Sequence, residues 1–181
     1  MTYSEAVKYA RIPLGFALGI AYLIWAHPNT DRFVIGGLIA LAGVIIRAWA
    51  AGHIVKNHKL ATSGPYAHTR NPLYLGSFLI AIGFAIAAHW LLLIVVAGFF
   101  LAVYYPVMQR EITNMNNRFP EAYPRYAANV PLFIPRLTPW RGDDQSMNGF
   151  SHRLYMSHGE WKASVTYVLA MAWLAFRAYG T

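Results

Sequence analysis

The sequence predicts an all-α fold, a polytopic membrane helical bundle of about five transmembrane helices formed by a single membrane domain, residues 1–181. Hydrophobic residues make up 57% of the chain and charged residues only 12%, which is about half the charged fraction of a soluble globular domain. The apolar residues are gathered into runs near the length that crosses about 30 Å of hydrocarbon. Short polar intervals separate these runs, as expected for helices that are joined at a membrane surface.

The formal net charge of +8 does not indicate nucleic-acid binding. No ladder of cations with interleaved aromatic residues offers a path for a phosphate backbone, so we expect no nucleic-acid partner. Cations that mark the cytoplasmic side of a membrane explain the charge better. The chain has no cysteine, which excludes disulfides, thiolate metal ligands and a cysteine nucleophile.

The first predicted span covers residues 7–26. Its apolar run gives only about 22 Å of helix, so we expect the helix to start near Val7 while Lys8 and Arg11 extend toward the headgroups. No small-residue cleavage pattern follows the run. We therefore predict an uncleaved helix in place of a signal peptide.

The second predicted span, 33–55, is rich in small residues that let helices approach closely in lipid. These residues are Gly36, Gly37, Ala40, Ala42 and Gly43. Arg47 lies inside the same run, where an arginine is costly and faces a protein interior or the headgroups. Two interpretations of Arg47 stay open, a functional cation inside the bundle and a side chain that reaches the surface near Lys56.

The third and fourth predicted spans, 72–88 and 91–108, form an antiparallel hairpin. Pro72 suits the first turn of a helix, where its missing N–H costs nothing. The tight turn between the spans falls at His89, and Pro106 predicts a kink near the end of the fourth span.

Two polar segments, 56–71 and 109–141, separate the predicted spans. The second segment contains prolines at 120, 124, 131 and 135 with interleaved aromatic residues. We expect a short membrane-surface helix followed by an extended stretch defined by these prolines. A fifth, moderately hydrophobic span is predicted at 161–179.

The distribution of positive charge predicts the orientation. With a cytoplasmic amino terminus, twelve of the 15 Lys and Arg residues face the cytoplasm, two face the opposite side and Arg47 is unassigned. This asymmetry follows the positive-inside rule. We expect an integral protein of a prokaryotic inner membrane, with both polar segments on its cytoplasmic face.

The histidines near the first polar segment do not predict a metal site. His53, His58 and His68 are separated by five and ten residues, and no cysteine or nearby carboxylate completes a ligand set. No Gly-x-Ser-x-Gly turn indicates a serine nucleophile. We therefore expect neither a metal nor a hydrolase triad.

Glu111 is the acidic residue that invites a functional interpretation. It is one of seven acids, follows the fourth apolar run and lies beside Arg110. One interpretation is a surface ion pair worth under about 1 kcal/mol. The other is a carboxylate at the cytoplasmic mouth of the bundle, where it binds a cation or hydroxyl groups of a ligand.

Several short motifs follow one another between residues 50 and 137. They are Gly64-Pro65-Tyr66, then Arg70-Asn71-Pro72-Leu73-Tyr74-Leu75-Gly76, then Glu111 ahead of Phe119, then Tyr123-x-x-Tyr126, and finally Val130-Pro131 ahead of Ile134-Pro135. This ordered set resembles the isoprenylcysteine carboxyl methyltransferase and phospholipid methyltransferase group of membrane enzymes. The set as a whole is far more specific than any one of its motifs.

The resemblance implies a cytoplasmic-facing pocket that binds S-adenosylmethionine, with the methyl acceptor entering from the membrane. The positions that match the cofactor-binding residues of the family are His58, Lys59, Leu60, Ala61, Tyr66, Arg70, Asn71, Pro72, Leu73, Tyr74 and Glu111. The resemblance makes Glu111 and Arg110 the candidate catalytic residues. A carboxylate and aromatic rings suit the charged parts of this cofactor.

The chain departs from the family pattern at three positions. Asn71 replaces a frequent histidine, and Ile112 replaces the second of two paired glutamates. Val107 replaces the arginine that binds the prenylcysteine carboxylate, a role for which Arg110 is the available substitute. These departures argue against a prenylcysteine acceptor.

We expect S-adenosylmethionine-dependent methyl transfer to a small or lipophilic acceptor at the lipid bilayer, such as a thiol, amine, carboxylate, phenol or lipid headgroup. Displacement at carbon requires alignment and desolvation more than a strong acid or base. Two alternatives stay open, an NADPH-dependent membrane reductase of related fold and a non-enzymatic membrane subunit. The sequence does not identify the acceptor, because apolar pocket residues specify size without chemical identity.

Overall fold

The computed structural model describes residues 13, 15–17, 19, 20, 22, 26–54, 59–142 and 149–180. These residues contain helices and irregular segments but no β-strand, so the predicted all-α class is confirmed for this part of the chain. The α-helices are α1 Thr30–Ala51, α2 Pro72–Ala88, α3 Leu92–Phe99, α4 Tyr105–Arg118, α5 Ala122–Asn129, α6 His152–Ser157 and α7 Trp161–Tyr179. A 3₁₀ turn, Gly64–Ala67, precedes α2, and a π-helical turn, Phe100–Tyr104, joins α3 to α4.

Helices α1 and α2 pack closely because small residues face each other along their contact. A Cβ atom on Gly43 would lie 2.5 Å from the carbonyl oxygen of Gly76, and one on Gly76 would lie 2.7 Å from that of Gly43. Real Cβ atoms do not come so close, so a side chain at either position would force the backbones apart. The small residues of the second predicted span are therefore a helix contact surface.

Helix α3 continues through the π-helical turn into α4, which gives one helical run from Leu92 to Arg118. The π-helical turn comes just before Pro106, whose missing N–H and bulky ring disturb the regular bonding of an α-helix. The run extends beyond the predicted span 91–108, because the amphipathic residues after Met108 continue the helix.

Two of the described helices are long and apolar enough to cross a membrane, Thr30–Ala51 and Leu92–Arg118. Pro72–Ala88 is apolar but shorter. The prediction of about five spans is therefore supported only in part. The predicted first span, 7–26, lies mostly outside the described residues, although those described between 13 and 22 are helical.

Helix α7 has the bounds of the predicted run 161–179 and packs against α1. The Tyr167 hydroxyl donates to the carbonyl oxygen of Gly37 at 3.1 Å. Leu174 is fully buried in a small core with Ala26 and Ala87. Helix α7 thus forms a further wall beside the α1–α2 pair.

Candidate functional site

A cavity of about 1410 Å³ lies between α2, the α3–α4 run and the polar segments. Its volume exceeds the roughly 300–1,000 Å³ of most small-molecule pockets. One region, named the polar end, is lined by Lys59, Leu60, Ala61, Tyr66, Arg70, Asn71, Tyr74, Glu111, Arg118 and Tyr123. The other, named the apolar arm, is lined by Phe78, Ala81, Phe84, Val95, Val96, Phe99, Thr166 and Ala170.

The backbone of the polar end is held by hydrogen bonds between residues 66–71 and residues 130–140. Main-chain N–H groups donate to carbonyl oxygens at 2.9 Å from Arg70 to Pro131, from Arg136 to His68 and from Trp140 to Ala67. Prolines 131, 135 and 139 cannot donate, so in this extended segment Pro131 accepts a hydrogen bond while Arg136 and Trp140 donate. The proline-rich stretch thereby fixes the geometry of the first polar segment.

The 3₁₀ turn Gly64–Ala67 places Tyr66 in the cavity wall. Gly64 has a φ of +58°, a backbone conformation that residues other than glycine rarely adopt. A Cβ atom at this position would also meet the His53 ring at 2.5 Å. The positive φ and the close approach of the His53 ring both require glycine at this position. The turn can therefore pack against the end of α1.

Tyr66 is buried and neutral. The Tyr126 hydroxyl donates to the Tyr66 carbonyl oxygen at 2.7 Å. Burial raises the pKa of the Tyr66 phenol, and the carboxylates of Glu111 and Glu160 raise this pKa further. The phenol is therefore an O–H donor at the edge of the cavity and not a phenolate.

Arg70 lines the cavity and has one side-chain N–H without a partner in the part of the chain that the structure describes. Its Cζ lies 5.9 Å from the centroid of the Tyr123 ring, and its Nη1 donates to the Tyr123 hydroxyl at 3.2 Å. Within the described residues, Arg70 Nε is the one buried side-chain nitrogen or oxygen without a hydrogen-bond partner. Buried donors are almost always satisfied, so this N–H suits an acceptor group on a ligand.

One face of the α3–α4 run lines the polar end and the cavity beside it. Positions 104, 108, 111, 115 and 118 all contribute side chains, and their spacing of three and four residues defines a single helical face. Glu111 lies on this face. Arg110 is offset by about 100° around the helix, is exposed and does not line the cavity. The structure therefore does not bring Arg110 to the site.

The cavity collects most of the predicted cofactor positions. Those that line it are Lys59, Leu60, Ala61, Tyr66, Arg70, Asn71, Leu73, Tyr74 and Glu111. Pro72 is fully buried at the start of α2 and does not line the cavity. His58 lies outside the described residues.

Two further residues of the polar end were not assigned to a site from the sequence. Arg118 lies two helical turns after Glu111 on the same face, a spacing that would have identified it. Tyr123 reaches Arg70 only because the chain reverses between α4 and α5. No local pattern specifies the contact of Tyr123 with Arg70.

Arg47 lies where the polar end meets the apolar arm. Its Nε and Nη2 donate to the Glu160 carboxylate at 2.7 to 2.9 Å. Its Nη1 donates to the Ser77 hydroxyl and to the carbonyl oxygen of Leu73. Of the two interpretations of Arg47, the structure supports the side chain inside the bundle, since its charge is paired there.

The described residues contain no group of three or more His, Asp or Glu side chains that could hold a metal ion. His53 and His68 each place Nδ1 at 2.8 Å from a backbone carbonyl oxygen, that of Trp49 and that of Arg136. Both rings therefore bind the surrounding backbone through Nδ1.

Comparisons with known proteins agree with these motifs. Residues 33–122 match the family model described as phospholipid methyltransferase. The match includes α1, α2, the α3–α4 run and most residues of the polar end. No solved structure matches the chain significantly.

Two curated bacterial proteins are similar to the chain. The cobalt-zinc-cadmium resistance protein CzcN of Cupriavidus metallidurans is 32% identical over 143 residues, which cover 74% of this chain and 65% of that protein. The nickel-cobalt-cadmium resistance protein NccN of Alcaligenes xylosoxydans xylosoxydans is 30% identical over 131 residues, which cover 67% of this chain and 61% of that protein. The chain thus spans less than two thirds of the length of each.

Proposed function

Because residues 33–122 belong to the phospholipid methyltransferase family, we propose that this chain transfers the methyl group of S-adenosylmethionine to a lipophilic acceptor in a membrane. The observation that carries the proposal is a single cavity with two different regions. Its polar end gathers the predicted cofactor positions, and its apolar arm offers room for a second, apolar molecule.

The residues of the polar end fit the chemistry of this cofactor. The Glu111 carboxylate is suited to the amino group, and the open Nε of Arg70 is suited to the carboxylate. The rings of Tyr66 and Tyr74 are suited to the sulfonium and the adenine, through cation–π and stacking contacts. Arg110 has no part in this assignment, because it lies outside the cavity.

Glu111, Arg70, Tyr66 and Tyr74 would hold the cofactor, which would supply an electrophilic methyl group for the acceptor. The chain's own residues supply alignment and exclude water. The backbone bonds between residues 66–71 and 130–140 hold the polar end rigid, and the apolar arm keeps solvent from the acceptor. The acceptor head meets the cofactor where these two regions join.

We place the polar end on the cytoplasmic face of the membrane. Lys59, Arg70, Arg110 and Arg118 all lie at this end of the helices, as the positive-inside rule requires. The apolar arm then runs along α2 and α3 toward the interior of the bilayer. An acceptor with an apolar tail would enter through this arm.

Calorimetric titration of detergent-purified protein with S-adenosylhomocysteine tests the proposal. We expect binding by the wild type, and a loss of about 1 kcal/mol or more for Glu111→Ala, since the variant removes a charged hydrogen bond. Glu121→Ala is the matched control, because Glu121 is exposed and does not line the cavity. Absence of binding, or binding of NADPH in its place, would refute the proposal and favour the reductase.

A second candidate function comes from the names of the two relatives. Both are metal resistance proteins, which favours a membrane subunit that supports metal resistance, with or without catalysis. Expression in a cobalt-sensitive bacterial host separates these roles. Resistance that is conferred by the wild type and lost in Glu111→Ala would tie the phenotype to the polar end, whereas resistance retained by that variant would indicate a non-enzymatic subunit.

A further inference from the structure

The ion pair between Arg47 and Glu160 lies at the junction of the two regions of the cavity. In α2, Tyr74 contributes to the polar end, whereas Phe78 begins the apolar arm. Ser77 lies between them and accepts a hydrogen bond from Arg47. The pair therefore marks the depth at which the lining changes from polar to apolar.

All three side-chain nitrogens of Arg47 donate within the chain. Nε and Nη2 donate to Glu160, and Nη1 donates to Leu73 and to Ser77. Arg70 differs, because its Nε has no hydrogen-bond partner. Arg47 is consequently suited to holding structure and not to binding a ligand.

Glu160 comes from a part of the chain outside the family match at 33–122. It lies 113 residues from Arg47 in sequence and directly precedes α7. Helix α7 contributes Thr166 and Ala170 to the wall of the apolar arm. The ion pair thus connects this wall to α1 and, through Arg47, to α2.

We infer that Glu160 is a positioning residue, which acts through Arg47 to hold α7 as the wall of the apolar arm at the point of methyl transfer. Without the carboxylate, Arg47 would keep a charge in an apolar bundle with no counter-ion, which is costly. Its guanidinium would turn toward water, and the amino-terminal end of α7 would lose this contact with α1, while the Tyr167 bond to Gly37 remains further along the helix. The transfer step in this inference rests on the proposed function, whereas the position of the wall does not.

Thiol labelling tests the position of α7 directly, because the chain has no cysteine and a single introduced thiol is the only one that reacts. A single Ala170→Cys substitution places a half-buried thiol in the apolar arm. We expect Glu160→Gln to speed the reaction of this thiol with N-ethylmaleimide by about tenfold, because loss of one partner of this partly buried ion pair releases the other. Affinity for S-adenosylhomocysteine should stay within about threefold of the wild type, since no polar-end contact is removed.

Two further variants make the result specific. Glu160→Asp keeps the charge and should restore most of the slow labelling. Glu121→Gln removes an exposed carboxylate that does not line the cavity and should leave labelling unchanged. An unchanged labelling rate in Glu160→Gln would overturn the inference, and so would failure of Glu160→Asp to slow the reaction. Absence of S-adenosylhomocysteine binding in the wild type would refute the proposed function while leaving the labelling result valid.

Discussion

The two regions of the cavity are built from different kinds of structure. The polar end consists largely of irregular backbone, held in place by hydrogen bonds between residues 66–71 and residues 130–140. The apolar arm consists of helix faces that contact one another through side chains. Hydrogen bonds fix positions to within a few tenths of an ångström, whereas apolar packing sets mainly size and shape. The polar end is therefore suited to one defined ligand, and the apolar arm to a class of ligands.

The largest expected effect comes from disrupting the contact between α1 and α2, which supports both regions of the cavity. Gly76→Val places a side chain against the carbonyl oxygen of Gly43, and we expect overpacking to lower the free energy of unfolding by about 3 kcal/mol. Gly98→Val is the control, because no atom lies within 4 Å of a Cβ there. Thermal melting in detergent checks this, and equal melting temperatures for both variants would contradict it.

The second largest effect comes from a variant that weakens the structure of the polar end and leaves the apolar arm unchanged. Tyr126→Phe removes the donor to the Tyr66 carbonyl oxygen, and a buried acceptor left without a partner costs about 1–3 kcal/mol. We expect affinity for S-adenosylhomocysteine to fall roughly tenfold. Tyr105→Phe is the control, because Tyr105 is 51% exposed. Calorimetry with equal affinities for both variants would show that the turn does not depend on this bond.

A smaller effect changes only the apolar arm. Phe99→Ala widens the arm and should shift the preferred acceptor toward bulkier chains, by about tenfold in kcat/KM. Affinity for S-adenosylhomocysteine should not change. Leu101→Ala on the same helical run is the control, because Leu101 is 66% exposed and does not line the cavity. Methyl-transfer rates across acceptors of increasing chain length provide the measurement, and an unchanged preference would argue against acceptor binding in this arm.

The smallest effect is a pH dependence to which two buried phenols beside the polar end contribute. Burial raises the pKa of Tyr66 and of Tyr126 above their ordinary value of about 10. The neutral phenols therefore contribute stability that is fully present below pH 10 and is lost as pH rises through the folded-state pKa values. We expect the melting temperature to fall above pH 10, and to fall less steeply in Tyr126→Phe. The same slope in both proteins would contradict this prediction.

Local patterns in the sequence were sufficient for several elements. Helix α2 has the bounds of the predicted run 72–88, because a proline at the first turn and an unbroken apolar run are both local signals. The glycines of α1 were likewise identified as a contact surface. The length of the α3–α4 run was not predicted, since the amphipathic residues after Met108 read equally well as a separate surface helix.

The candidate site was predicted in part, and the reason lies in the geometry of helices. Glu111 was separated from the other acids as a residue of interest, and it lines the cavity. Its neighbour Arg110 was offered as the substitute for the family arginine that Val107 replaces, although adjacent helical residues project in different directions and Arg110 does not line the cavity. Arg118 was not predicted as a site residue, although it lies seven residues after Glu111 and therefore on the same face of the helix.

The sequence by itself determined the helical class, the apolar runs and the charged residues within those runs, since these depend on composition and short-range spacing. Only the tertiary structure decided which of those charges meet. Arg47 was recognisable as costly inside a bundle, but its partner Glu160 lies far along the chain. Pairing over such a distance depends on how α7 packs against α1, because an ion pair inside a bundle forms only where helix packing brings the two charges within reach of each other.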